Sequence, residues 1–183
     1  MNLNIPYMET DNKLLNDAYR IAAGDIVGNI VYYQNGLLTE EKPCMIAGLD
    51  YNTPWTRDTA INIWNALSIL SPEVSKNTLL AVLEEEEGNI YIGGQYWDSI
   101  IWMIGAREYC RFHKDDNFYR LAFEAGRNSV HRLEEDEFDE EDGLFRGPAV
   151  YGDGIAAYPD KYSKCPNQGS GILEWVDYPG NPV

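Results

Sequence analysis

The chain has 183 residues, of which 44% are hydrophobic and 13% aromatic, and its formal net charge is −16. This length suits a single domain over residues 1–183 with enough chain for a sizeable core. Because nucleic acids and anionic membranes are bound by neutralising lysines and arginines, the acidic balance excludes both as partners and leaves a neutral ligand unaffected.

The cysteines and the amino-terminal residues indicate the compartment. Cys44, Cys110 and Cys165 are odd in number, widely spaced and without a CxxC motif, which is typical of free thiols in a reducing environment. We see no basic stretch followed by an apolar core at the start, and no apolar run of membrane-spanning length. We therefore expect a cytoplasmic protein. With two histidines and no nucleotide-binding glycine motif, we expect no metal and no cofactor.

Apolar residues recur at helical spacing through most of the chain. The segments that this spacing predicts as helices are, by number, 12–33, 59–71, 72–86, 97–112 and 117–133. Asp11 or Asn12 is expected to cap the first helix, Pro72 to begin the third and Asp116 to cap the fifth. Residues 90–94 predict a short irregular or extended piece, so the sequence indicates an all-α chain.

Glycine- and aromatic-rich loops separate these helices, while the acidic runs Glu84–Glu87 and Glu134–Asp142 are expected to be solvated helix ends. Residues 143–154 hold four glycines and a proline, which predicts a hairpin or an irregular loop. In a ring of antiparallel helices every second loop lies on the same rim. The loops at 50–58, 91–98 and 142–160 would then bring together Arg57, Asp58, Trp97, Asp98 and Asp153.

A compact motif, Trp55-Thr-Arg57-Asp58, precedes the apolar run Ile61–Leu70. The guanidinium is a rigid fork of donors, the carboxylate is an acceptor, and the indole is a flat apolar wall, a mixture that suits the hydroxyls and ring faces of a sugar. An Arg–Asp pair at a helix start is an equally good interpretation of the same residues. The residue types alone do not decide between them.

The stretch Asn52–Ala60 resembles the Trp-x-Arg-Asp segment of the six-hairpin glycosidases, above all glucoamylases, glycogen-debranching-type glucosidases and their trehalase relatives. The resemblance implies that Arg57 and Asp58 hold hydroxyls of the sugar whose bond is cut. It also implies that Trp55 contacts the sugar as an aromatic wall. Tyr51, which flanks the same motif, is a further candidate contact from its residue type.

The resemblance extends along the chain to about residue 160. Gly93–Ser99 is similar to a segment of debranching-type glucosidases, and Tyr151-Gly-Asp153-Gly lies where the relatives carry a catalytic acid. The further substrate contacts that the resemblance implies are Gln95, Trp97, Arg146 and Tyr151.

An inverting glycosidase needs one protonated carboxyl group and a second carboxylate that activates water. Asp153 is our first choice for the acid, with Asp98 as the alternative. Each also has an ordinary structural interpretation, since Asp98 could cap a helix and Asp153 could form a turn between glycines. We expect the general base to lie outside this chain.

The expected fold is therefore a partial (α/α)6 toroid, corresponding to the front portion of a glycosidase domain. The expected function is hydrolysis of O-glycosidic bonds in α-glucosides or related neutral oligosaccharides. Because the relatives close six hairpins, we expect the chain to be incomplete alone and to need the missing half or self-association. Two alternatives stay open: a non-catalytic carbohydrate-binding module and a helical interaction module.

Overall fold

The computed structural model describes residues 5–48, 51–94 and 98–145. Of these residues 57% are helical and 15% lie in strands, which form three small antiparallel sheets. The prediction of an all-α chain forming a partial (α/α)6 toroid is therefore wrong. The chain divides into two compact units, Met1–His131 and Arg132–Val183. No helix within the described ranges is long and apolar enough to cross a bilayer.

The first helix is shorter than its apolar pattern suggested. Helix α1 spans Lys13–Gly28, and the Asn12 side chain caps it by accepting from the N–H groups of Leu14 and Leu15 at 3.0 and 3.3 Å. Strand β1, Ile30–Tyr33, follows where the prediction continued the helix. The run Ile-Val-Tyr-Tyr is β-branched and aromatic, so it favours a pleated strand once a partner is available.

That partner is strand β2, Lys42–Met45, which pairs antiparallel with β1 so that Val31 lies opposite Cys44. The hairpin packs on helix α4, Pro72–Ala81. There the buried Thr78 hydroxyl accepts from the Met45 N–H at 3.0 Å and donates to the Val74 carbonyl at 2.6 Å. A sheet of only two strands is marginal alone, so this packing on α4 stabilises it.

The predicted second helix is present but interrupted. Helix α2 spans Thr56–Asn62, a π-helical segment covers Ile63–Leu67, and helix α3 continues through Ser68–Leu70. Helix α3 ends before Ser71, whose hydroxyl accepts from the Val74 N–H at 3.4 Å. Pro72 then begins α4, as predicted.

The third predicted helix also ends early, at Ala81. Strand β3, Leu83–Glu86, turns back through Glu87 and Gly88 into strand β4, Asn89–Ile92, and the two pair antiparallel. Glu87 and Gly88 have φ values of 51° and 79°, which makes the reversal possible. The acidic run at 84–87 is exposed, but it belongs to a hairpin and not to a helix end.

Helices α5, Asp98–Phe112, and α6, Asp116–Glu137, match two predicted helices closely. The cap of α6 is Asp115 and not Asp116, since its carboxylate accepts from the Phe118 N–H at 3.0 Å. Trp102 is buried in the core and donates its indole N–H to the Leu79 carbonyl at 3.3 Å. The other largest core side chains are Phe118, Ile63, Leu67, Leu79, Leu83 and Val74.

In the second unit, the described residues after the end of α6 form a small hairpin. Strand β5, Phe138–Asp139, pairs with strand β6, Leu144–Phe145. The Asp139 carboxylate accepts from the Glu141 and Asp142 N–H groups at 2.9 and 3.2 Å. The acidic run at 134–142 is thus a helix end, as predicted, only as far as Glu137, and the hairpin takes the place of the rest. The rest of the glycine-rich stretch predicted as a loop lies outside the described residues.

Candidate functional site

The candidate site is centred on an ion pair between two helix starts. Arg57 lies in the first turn of α2, and Asp98 is the first residue of α5. Arg57 Nε donates to Asp98 Oδ1 at 3.0 Å, and the two side chains are 23% and 5% exposed. A carboxylate this deeply buried needs a cation or several donors to offset its lost hydration, which the guanidinium supplies.

Close packing of α2 on α5 explains why these two residues meet. A Cβ atom added to Gly105 would lie 2.8 Å from Ala60 Cα, so only glycine permits this approach of the two helices. Ala60 lies one turn after Arg57, and Gly105 lies two turns after Asp98, so each contact shares a helix face with its charged residue. The contact between Ala60 and Gly105, further along the two helices, therefore brings the starts of α2 and α5 close together.

A second glycine allows the approach to Asp98. Gly94 has a φ of +116°, and a Cβ atom there would lie 2.9 Å from Asp98 Oδ2 and 2.8 Å from Thr56 Oγ1. The Thr56 hydroxyl donates to the Gly93 carbonyl at 2.7 Å. The segment Gly93–Gly94 is thus held against the starts of both α2 and α5.

An open pocket of about 170 Å³ has Asp98 in its lining, and we call it the Asp98 pocket. Its described lining residues are Asn35, Pro54, Trp55, Thr56, Ala81, Val82, Glu84, Gly93, Gly94 and Asp98. Trp55 is the largest apolar side chain of this lining, while Glu84 and Asp98 supply carboxylates. The mixture of a flat apolar wall with acceptor oxygens suits a ligand that carries hydroxyl groups.

Glu84 is the carboxylate of the described lining that the sequence interpretation missed. It lies in β3, and a Cβ atom at Gly93 would come within 2.5 Å of its Oε1. The carboxylates of Glu84 and Asp98 therefore lie over two consecutive glycines, Gly93 and Gly94. The signal that could have found Glu84 was the Glu87-Gly88 turn, which converts the acidic run from a helix end into a hairpin that returns to this loop.

Two aromatic rings stand at the entrance to α2. Tyr51 and Trp55 are 52% and 42% exposed, and their ring centroids lie 6.0 Å apart at an interplanar angle of 72°. An edge-to-face pair of this kind fixes both rings while leaving their outer surfaces open. Exposed aromatic surface held in a defined orientation can pack against the apolar face of a sugar ring.

Asp58 lies beside the ion pair and is exposed. Burial of the carboxyl by neighbouring protein raises the pKa of Asp58; its own backbone N–H and Arg57 oppose the rise, and the charge of Asp98 adds to it. The exposed surface of the residue shows that solvent still reaches it, so the burial effect is partial. Asp58 thus combines access to a ligand with a proton held to higher pH than in a free aspartate.

The structure brings Arg57 and Asp98 into contact and places Asp58 and the Tyr51–Trp55 pair nearby along the same chain segment. The remaining predicted site residues lie outside the described residues: Gln95, Trp97, Arg146, Tyr151 and Asp153. In the part of the chain that is described, no group of three or more His, Cys, Asp or Glu side chains is arranged to hold a metal ion.

Comparison with known proteins adds no relative to this picture. No protein-family model, no curated protein and no solved structure matches the chain.

Proposed function

We propose that this chain binds a neutral saccharide at the Asp98 pocket and acts in the hydrolysis of O-glycosidic bonds in α-glucosides or related oligosaccharides. One observation carries the proposal: the buried Asp98 carboxylate, which is paired with Arg57, lines a pocket whose wall is the half-exposed ring of Trp55. The resemblance to six-hairpin glycosidases in the same residues supports it.

The ion pair can position hydroxyl groups. Of the three guanidinium nitrogens of Arg57, Nε bonds to Asp98, and the two terminal nitrogens have no partner among the described residues. A guanidinium whose orientation is fixed by one bond loses little freedom when its other N–H groups bind a ligand. Arg57 would therefore donate to sugar hydroxyls while Trp55 packs on the ring face.

The catalytic part of the proposal rests on carboxyl groups. Asp153, proposed as proton donor from the resemblance, lies outside the described residues, and the general base is not assigned to this chain. Asp98 suits the role of donor less well, because its Oδ1 already accepts from Arg57. Asp98 is better described as a positioning residue for Arg57.

A non-catalytic carbohydrate-binding module is the second candidate, and the same ion pair favours it. A carboxylate held by a guanidinium serves binding and needs no proton transfer. Asp58, with its raised pKa, and Glu84 are the described carboxyl groups that a purely binding site would not require. Hydrolysis assays therefore separate the two functions.

Thermal unfolding with glucose, maltose and maltotriose tests the binding step. A ligand that binds only the folded chain raises the unfolding midpoint by mass action. We expect such a rise for the wild type and its loss in Trp55→Ala. Trp64→Ala is the matched control, because Trp64 is 53% exposed and does not line the pocket. A melt that none of these sugars shifts would overturn the proposal.

Hydrolysis of aryl α-glucosides and maltooligosaccharides by the purified chain tests the catalytic step. We expect Asp153→Asn to lose turnover and keep the sugar-dependent rise in the midpoint. Sugar binding by the wild type without hydrolysis would mean that this chain by itself is a binding module, since the general base is not assigned to it.

A further inference from the structure

Away from the Asp98 pocket, helices α5 and α6 form an apolar groove of about 130 Å³. We call it the α5–α6 groove, and its lining residues are Met103, Ala106, Arg107, Cys110, Tyr119, Ala122 and Phe123. Tyr119 and Phe123 are 59% and 64% exposed. Two large aromatic side chains this open on one helix face, beside an apolar depression, are typical of an interaction surface.

Arginines border this groove. Arg107 lines it, and Arg120 and Arg127 lie three residues before and four residues after Phe123, so they flank that ring on the surface of α6. All three are exposed, and no carboxylate in the described part of the chain lies within ion-pair distance of any of them. Unpaired arginines around an apolar floor, in a chain of net charge −16, select an acidic partner.

The chain itself carries a segment of the complementary kind. In the β5–β6 hairpin the rings of Phe138 and Phe145 pack edge to face with centroids 5.1 Å apart. Phe138, Leu144 and Phe145 are 42%, 67% and 55% exposed. The adjoining turn is acidic, with Glu140, Glu141 and Asp142. This acidic hairpin, residues 138–145, therefore presents an apolar surface with carboxylates at its border.

We propose that the α5–α6 groove of one copy of this chain receives the acidic hairpin of a second copy. Phe145 and Leu144 would pack against Tyr119 and Phe123, and the carboxylates of the turn would pair with the arginines that border the groove. The apolar surfaces of the groove and of the hairpin would be in contact, and the basic border of the groove would face the acidic turn of the hairpin. This contact uses residues separate from the Asp98 pocket, so it does not depend on the proposed saccharide function.

The contact joins different surfaces of the two copies. If the exchange is reciprocal, each copy supplies one groove and one hairpin, and a closed two-fold dimer results. If it is not reciprocal, the same contact repeats and produces longer assemblies whose mean size grows with concentration. Both forms need an intact groove and an intact hairpin.

Sedimentation velocity of the purified full chain over a concentration series tests the proposal. We expect the wild type to self-associate, and Arg107→Glu/Arg127→Glu to weaken association about tenfold or more, because it places carboxylates opposite carboxylates. The control is Lys13→Glu/Arg20→Glu, which makes the same change in net charge on α1 and, unlike the groove variant, also removes the ion pairs of both residues with Asp17. Thermal unfolding of each variant verifies that it folds.

A second variant tests the other half of the contact. Phe145→Ser is expected to weaken association to the same degree, while Tyr7→Ser, which removes a ring that is 84% exposed, leaves it unchanged. Mixing the arginine variant with Phe145→Ser is expected to restore a heterodimer, since one supplies the hairpin and the other the groove. A wild type that stays monomeric at every concentration would overturn the proposal. So would association that both variants retain, or that the control pair loses equally.

Discussion

Two ion pairs tie together segments that are distant in sequence, and their surroundings differ. In the pair Arg57–Asp98 the N–O distance is 3.0 Å and the carboxylate is 5% exposed. In the pair Lys76–Asp115 the distance is 2.6 Å, but the lysine is 37% and the aspartate 24% exposed. The shorter contact is therefore the more solvated one.

The comparison shows that a short N–O distance does not by itself make an ion pair important for stability. Water screens the Lys76–Asp115 attraction, and pairs of this kind contribute little to stability. The Asp98 carboxylate has given up nearly all of its hydration, so removing its partner or its charge has a larger effect. The Arg57–Asp98 pair is therefore the candidate for ligand binding, because Asp98 lines a pocket. The Lys76–Asp115 pair connects α4 to the start of α6.

Breaking the buried pair gives the largest expected effect. Asp98→Ala leaves the Arg57 guanidinium, which is only 23% exposed, without its partner, so we expect a loss of about 3 kcal/mol in the free energy of unfolding. Urea denaturation measures it. Combining Asp98→Ala with Arg57→Met is expected to cost less than the sum of the two single changes. A loss below about 0.5 kcal/mol for Asp98→Ala would place this pair with ordinary surface substitutions.

Gly94→Ala tests how tightly the loop is held against Asp98. The positive φ and the contacts of the added Cβ atom with Thr56 and Asp98 together predict a loss of about 2 kcal/mol. Gly88→Ala is the matched control: its φ is also positive, at +79°, but nothing lies within 4 Å of the added atom. Equal destabilisation by the two substitutions would show that backbone strain alone, without the approach to Asp98, accounts for the effect.

The elements that were predicted correctly from the sequence are those that depend on residues close together in the chain. The cap at Asn12, the break at Ser71-Pro72 and the long helices α5 and α6 depend on neighbouring residues, and the structure contains them. The hairpins at 30–45 and 83–92 depend on pairing with a distant segment, which a helical apolar pattern conceals. Two such errors were enough to make the all-α prediction wrong.

The same distinction applies to the candidate site. Arg57, Asp58, Trp55 and Tyr51 are neighbours in sequence, so their motif identifies them directly. Arg57 and Asp98 were expected on one rim because every second loop of a toroid lies on the same side, but the structure has no such toroid. Their ion pair was not predicted, and it forms where Gly105 and Ala60 allow α2 and α5 to pack closely. Glu84 reaches the pocket only because its segment is a strand, so no helical prediction could have placed it there.

The exposed pair is expected to show a smaller and pH-dependent effect. The hydrogen bond from Lys76 and, next, the Phe118 N–H hold the pKa of Asp115 below that of a free aspartate. A lowered pKa stabilises the fold above the unfolded-state value of about 3.9, and this stabilisation is lost as pH falls through the folded value. Asp115→Asn keeps an acceptor for the cap and removes the charge, so we expect it to cost at most about 1 kcal/mol at pH 7.

Urea denaturation of the wild type and Asp115→Asn from pH 7 to pH 2.5 measures this difference. The two curves should run parallel at neutral pH and converge in the acidic range, below the pKa of a free aspartate. Curves that stay separated down to the lowest pH would mean that the cap geometry, and not the charge of Asp115, accounts for the stability difference.

The smallest effect on stability at pH 7 is expected for Cys44, a buried group that stays neutral at that pH. Burial raises the pKa of the Cys44 thiol to about 12, against a weaker opposing hydrogen bond with Thr78. A raised pKa stabilises the fold below the unfolded-state value of about 8.5 and loses this contribution as pH rises towards the folded value. In the variant Cys110→Ala/Cys165→Ala, where Cys44 is the remaining thiol, we expect a thiol reagent at pH 8 to react only after urea unfolds the chain. Rapid labelling of the folded variant would show that the β1–β2 hairpin opens from α4 and exposes Cys44.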